Sequence, residues 1–194
     1  MDMPIYNKLV EDALNNNRNI NLDSNNITDN INLLIYMFIN FSEKYQFKIK
    51  NANQLWENML SKIMQYGISD NIDIVFLTGA ILHNSNLSIS QRFLDYVYDN
   101  YRERFYKVGC GVFGFLLLQP IDDFVIQLIN TTARRMSQHP CFMQYVCNYS
   151  RIYTIPKQLK QIYLYNNGIQ FTINLIINIL PDRKKQIFLE AYNE

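Results

Sequence analysis

Glycine and proline are scarce in this chain, which has six Gly and five Pro among its 194 residues. Sandwiches and barrels need many tight turns, and tight turns depend on those two residue types. Their scarcity argues against an all-β fold and favours long helices joined by short polar loops. Hydrophobic residues make up 48% of the sequence, which is enough for a buried core. We therefore predict one all-α domain over residues 1–194.

The charge balance, the cysteines and the apolar runs exclude further classes. The formal net charge is only +1, so no long-range field favours nucleic acid or an acidic membrane. The three cysteines are odd in number and form no C-x-x-C pair, which argues against a disulfide framework. The apolar runs Gly109 to Leu118 and Ile169 to Leu180 are shorter than the ~20 residues that span a bilayer. With no signal-peptide pattern at the N-terminus, we expect a soluble cytoplasmic protein.

Apolar residues at helical spacing predict about eight or nine helices. The first two cover Met3–Leu14 and a segment from Thr28 or Asp29 to about Phe47, with a polar, Asn-rich loop at about residues 15–30 between them. A third begins at Asn51 or Asn53 and ends at Gly67, which suits the position after a helix C-terminus. The strongly apolar segment Asp70 to His83 favours a helix over a buried strand.

The middle of the chain contains the most apolar pattern. Ser88 and Gln91 have the S-x-x-Q spacing of a capping box, which predicts a helix start. Behind them, one helix face is predicted to carry four large apolar side chains: Phe93, Val97, Tyr101 and Phe105. The run from Gly109 to Leu118 is apolar on every side, so we predict that it forms the central helix of a bundle.

Prolines and polar caps predict the C-terminal helices. Asp122 and Asp123 mark the start of one helix, and Arg134 and Arg135 mark its end, as the helix dipole favours. Three further starts are predicted: at Pro140, for a helix through Tyr149; at Pro156, for a helix through about Leu180 with a break at residues 166–168; and at Pro181.

No pattern in the sequence supports catalysis, a metal site or a cofactor. The two histidines, His83 and His139, have no metal-binding spacing. Cys141 with Cys147 and His139 is the one cluster worth naming, but cysteines six apart do not share a helix face. The glycines from Gly109 to Gly114 spell G-x-G-x-x-G without the preceding strand that a dinucleotide site requires. We therefore expect a protein that is not an enzyme.

Nucleic acid is the alternative partner. Arg102, Arg104 and Lys107 alternate with aromatic residues, a combination that binds single strands in other proteins. Arg134 with Arg135, and residues 183–185, add smaller basic groups. Near-neutral net charge argues against a dedicated binder of this kind, such as a nucleocapsid-type protein.

The order of features from Ile63 to Tyr149 resembles the Bcl-2 family in its divergent viral form. RFYKVGCGVFGF lies where that family carries its BH1 motif and central helix, and IDDFVIQLINTTARRM resembles its sixth helix. The resemblance implies a groove that binds an amphipathic BH3 helix, with Lys107 in place of the groove arginine. It departs from the family at residues 104–107, which read Arg-Phe-Tyr-Lys where the family has Asn-Trp-Gly-Arg.

The resulting prediction is a helical protein–protein interaction module that receives an amphipathic partner helix in a surface groove. The resemblance further implies a regulator of host cell death, acting in the host cytoplasm if the source is viral. Stacked helical hairpins, as in HEAT-like scaffolds, are the alternative architecture, and self-association stays open. The candidate partner-binding residues are Phe93, Val97, Tyr101, Arg104, Phe105 and Lys107, and each of the four apolar ones, taken singly, is better explained as a core residue.

Overall fold

The computed structural model describes residues 52–194 except residues 69 and 71. The helices predicted before residue 48 and the Asn-rich loop at about residues 15–30 lie outside this part of the chain. The described residues form nine α-helices and a 3₁₀ turn, with no strand, so the all-α prediction is confirmed.

The chain divides into two compact units, with the boundary after Arg102. The described part of the first unit holds α1 (Ala52–Tyr66), α2 (Ile74–Asn84) and α3 (Leu87–Asn100). The second unit holds α4 (Arg102–Leu116), α5 (Asp123–Met136), α6 (Pro140–Val146), α7 (Arg151–Tyr165), a 3₁₀ turn (Asn167–Ile169), α8 (Gln170–Ile179) and α9 (Asp182–Asn193). The single domain over residues 1–194 stays a prediction.

In the first unit, α3 packs against both α1 and α2. The three helices contribute apolar side chains to a common core, among them Trp56, Met59, Leu77, Ile89, Phe93 and Val97. The Asp73 carboxylate accepts hydrogen bonds from the backbone N–H groups of Val75 and Phe76 and so caps α2. The capping box predicted at Ser88 was wrong, because Asn86 caps α3 through the N–H of Ile89 at 2.9 Å.

Gly67 ends α1 with a positive φ of 86°, the conformation that favours glycine. A Cβ at this position would lie 2.7 Å from the Tyr101 hydroxyl oxygen, which accepts the N–H of Ile68 at 3.0 Å. We expect Gly67→Ala to lower the free energy of unfolding by about 1–2 kcal/mol, from left-handed backbone strain plus this contact. Urea denaturation followed by Trp56 fluorescence measures the loss. A Gly67→Ala protein as stable as the wild type would contradict this role for Gly67.

The predicted continuous helix from residue 88 past Phe105 is also wrong. Tyr101 has φ −139° and ψ 54°, so the chain leaves α3 there and α4 begins at Arg102. Phe93 and Val97 therefore lie on α3, whereas Phe105 lies on α4. The apolar spacing continues through the break because each helix buries a face of its own, and no glycine or proline marks the corner.

In the second unit, α5 is capped by Asp122, whose carboxylate accepts the Val125 N–H at 2.7 Å. Pro140 opens α6 as predicted, although this helix ends at Val146 and not at Tyr149. Pro156 does not open α7; it lies buried inside it, five residues after the first helical residue, Arg151. The prediction placed Pro156 at a helix start because its missing N–H is harmless there. In the observed helix that missing N–H removes one hydrogen bond.

The last part of the second unit matches the predicted break at residues 166–168. Asn166 accepts the Gly168 N–H at 2.8 Å and begins the 3₁₀ turn that leads into α8. The final helix, α9, starts after Pro181 as predicted and packs along α7. Within residues 52–194, no helix combines the length and apolarity that crossing a bilayer requires.

Candidate functional site

Three of the predicted partner-binding residues lie in the protein interior. Phe93 and Val97 are 0% exposed and Phe105 is 1% exposed, so these side chains belong to the core, the alternative that the sequence left open. Tyr101 is half-buried, and its hydroxyl accepts the Ile68 N–H. In this conformation, none of the four apolar side chains is fully exposed to a partner.

The two basic candidates, Arg104 and Lys107, lie nearer the surface. Arg104 is half-buried, whereas Lys107 is exposed on the outer side of α4, one turn before the exposed Gly111. Lys107 forms no hydrogen bond or ion pair with the described residues. Of the predicted set, Lys107 is therefore the residue with the geometry to meet a partner, and the groove around it stays a prediction.

The cysteine cluster differs from the one that the sequence suggested. Cys141 lies beside Cys110 of α4, and the two Sγ atoms are 3.9 Å apart. The Cys110 thiol also faces the Cys141 carbonyl oxygen at 3.8 Å, and the Cys141 thiol faces the Tyr106 carbonyl oxygen at 3.8 Å. The spacing along the sequence could not predict this pair because 31 residues separate its members.

An aromatic stack next to this pair joins the two segments that carry it. The Tyr106 ring stacks on the His139 ring with centroids 4.5 Å apart, and His139 Nδ1 accepts the Cys141 N–H at 3.2 Å. Burial, and then the neighbouring Cys141, raise the pKa of Cys110 to about 12. Among the described residues, no three His, Cys, Asp or Glu side chains converge on a point that could hold a metal ion.

A polar cleft of about 440 Å³ lies between α5 and the start of α8. One wall is a stripe of α5 side chains at helical spacing: Asp123, Gln127, Asn130, Thr131 and Arg134. The opposite wall consists of Asn166, Gly168 and Phe171. Because α5 rises 1.5 Å per residue, the stripe from Asp123 to Arg134 is about 16 Å long. That length accommodates two to three turns of a helix.

A hydrogen-bond network fixes the two walls of this cleft relative to each other. Asn166 donates to the Asp123 carboxylate at 2.6 Å, and Asn130 donates to the Gly168 carbonyl at 3.0 Å. The Thr172 hydroxyl donates to the Asn130 side-chain oxygen at 2.7 Å. Because these bonds satisfy the polar groups at one end and in the middle, the cleft is already formed without a ligand.

The other end of the cleft is open and chemically distinct. Arg134 is exposed, and its guanidinium forms no hydrogen bond or ion pair with the described residues. Phe171 of the opposite wall is 46% exposed. We call the residues that line this cleft, with Arg134 and Phe171 at its open end, the cleft surface.

Sequence reasoning identified parts of this surface without assembling them. Arg134 appeared as a helix-terminal base, and residues 166–168 appeared as a helix break. The signal in the sequence was Phe171, which follows the helix break. It does not lie on the helix face that carries the buried residues Thr172, Ile173 and Ile176.

No protein-family model, curated protein or solved structure matches this chain.

Proposed function

We propose that this chain is a non-enzymatic protein-interaction module whose partner segment binds along the cleft surface. The observation that carries the proposal is the open arginine, Arg134, beside the half-exposed ring of Phe171 in a preformed cleft. An apolar contact supplies affinity, and one charge sets the register of a bound helix or peptide.

The charges of the second unit indicate the chemistry of that partner. Residues 103–194 contain ten Lys and Arg residues and six Asp and Glu residues, a net charge of +4. An acidic partner is therefore attracted to this unit, whereas a basic partner is repelled by it. We infer a segment that places Asp or Glu on Arg134 and a large apolar side chain against Phe171.

Selection from a displayed random-peptide library tests the proposal on the full chain. We expect a consensus with one acidic residue and one large apolar residue at a fixed spacing. For the consensus peptide, Arg134→Glu should raise the dissociation constant at least about tenfold, equivalent to ~1.4 kcal/mol. Isothermal titration calorimetry measures the change, and Phe171→Ala should weaken binding as well.

Arg183→Glu is the matched control, because Arg183 is exposed in the same unit and lies on α9, away from the cleft lining. It changes the net charge equally, so it should leave the dissociation constant within about twofold. A failure to select any consensus, or equal weakening by Arg134→Glu and Arg183→Glu, would overturn the proposal.

Two other hypotheses predict different outcomes of the same titration. A BH3-type groove of the Bcl-2 kind, in a viral regulator of cell death, predicts that pro-death BH3 peptides bind and that Lys107→Glu abolishes binding; the exposure of Lys107 favours including that variant. A nucleic-acid binder predicts affinity for single-stranded RNA that falls steeply as salt is raised.

A further inference from the structure

We propose that Cys110 and Cys141 are a site of reversible oxidative modification, at which peroxide produces an intramolecular disulfide between α4 and α6. This inference is independent of the proposed binding function. It concerns two residues that the cleft surface does not use.

The geometry places the two thiols within reach of each other. A disulfide needs its sulfurs ~2.05 Å apart, and the Cys110 and Cys141 Sγ atoms already lie at 3.9 Å. Rotation about the Cα–Cβ bonds moves each Sγ while the helices stay in place. Two aromatic contacts hold the α4 and α6 segments together. The ring centroids of Tyr106 and His139 lie 4.5 Å apart in a stack, and those of Phe113 and Phe142 lie 5.1 Å apart, edge to face.

An oxidant can reach the pair from solvent. Both Cys110 and Cys141 are partly exposed. Next to Cys110, Gly111 is exposed, and a Cβ built on it would meet no atom within 4 Å. Peroxide therefore has access to the edge of the thiol pair, whereas a deeply buried cysteine would be inert.

The reaction proceeds in two balanced steps. A Cys141 thiolate attacks one oxygen of hydrogen peroxide, the O–O bond breaks, and the products are Cys141 sulfenic acid and hydroxide, which takes up a proton to become water. Cys110 then attacks the sulfenic sulfur, the S–S bond forms, and the sulfenic hydroxyl leaves as water with the Cys110 proton. We assign the second step to Cys110 because burial raises its pKa and so lowers its thiolate fraction.

The third cysteine, Cys147, provides an internal control. It ends α6, six residues after Cys141, and it is partly exposed like the other two. Neither of the other two thiols forms a hydrogen bond with Cys147, and burial raises its pKa. Its accessibility is therefore similar, but it has no neighbour with which to form an intramolecular disulfide.

Peroxide treatment of the full chain at neutral pH, followed by thiol counting and peptide mapping, tests the proposal. We expect free thiols to fall from three to one per chain, with Cys110 and Cys141 joined in one cross-linked peptide, and dithiothreitol to restore all three. Cys147→Ser should form the same disulfide. In Cys110→Ser, Cys141 should persist as a sulfenic acid that dimedone traps, whereas Cys110 in Cys141→Ser should remain a thiol.

Peptide mapping of the oxidised wild-type protein tests the proposal even if a serine variant fails to fold. A disulfide that includes Cys147, a dimer linked between chains, or oxidation of each cysteine without a Cys110–Cys141 bond would overturn the proposal. Three thiols that survive peroxide unchanged would overturn it as well.

Discussion

Replacement of Phe142 by alanine is expected to lower the free energy of unfolding of the second unit by about 3–5 kcal/mol. Phe142 is 0% exposed and meets the equally buried Phe113 of α4 in an edge-to-face pair. Its helix, α6, has seven residues, and a helix of that length is not stable without tertiary contacts. Removing the ring therefore leaves a cavity and also loosens the main apolar anchor of α6.

Urea denaturation followed by far-UV circular dichroism measures this loss. Trp56, the single tryptophan, belongs to the first unit, so its fluorescence follows the first unit separately. Tyr165→Ala is the matched control because it removes an aromatic ring that is 83% exposed, and it should change stability by no more than about 0.5 kcal/mol. A loss below about 1 kcal/mol for Phe142→Ala would show that the observed core packing is wrong.

Two glycines of α4 are expected to respond to alanine with opposite signs. A Cβ on Gly109 would overlap the Sδ atom of Met136, which is 0% exposed on α5. Gly109→Ala should therefore lower the free energy of unfolding by about 1–3 kcal/mol, the usual range for overpacking. Gly111→Ala fills open space on the exposed side of the same helix, so it should raise stability by about 0.5–1 kcal/mol through helix propensity alone.

Thermal and urea unfolding of the two alanine variants, measured side by side, check this difference in sign. Combining Gly109→Ala with Met136→Ala identifies the cause, because the shortened side chain at position 136 vacates the overlapped space. In that background, the penalty for Gly109→Ala should disappear. Equal effects at Gly109 and Gly111 would contradict a close approach of α4 to α5.

Two helix starts were predictable from a local residue, although at α3 the local signal at Ser88 misled the prediction and Asn86 is the cap. Asp122 caps α5 and Pro140 opens α6, since both effects act within three residues. Pro156 misled the prediction because a proline is tolerated within α7 once the surrounding core compensates for the lost hydrogen bond. The end of α3 at Tyr101 left no local signal; the Tyr101 hydroxyl accepts the N–H of Ile68, in a segment 33 residues earlier.

The candidate sites were even harder to predict from the sequence than the helix boundaries. Lys107 was predictable as an exposed base because a charged side chain rarely lies in a core. The burial of Phe93, Val97 and Phe105 could not be distinguished from a groove, because a groove and a core use the same residue types at the same helical spacing. The pairing of Cys110 with Cys141 depends on how α4 meets α6, which neither helix sequence encodes alone.

The scarcity of glycine and proline, together with apolar residues at helical spacing, was sufficient to predict the all-α structure of the described residues. Helix formation depends on neighbours three and four residues apart, so composition and spacing carry it. Only the tertiary structure decided which glycine is enclosed, which arginine is exposed at a cleft and which two thiols become neighbours. Those outcomes depend on contacts between segments distant in sequence, where side-chain shape and helix packing select one arrangement.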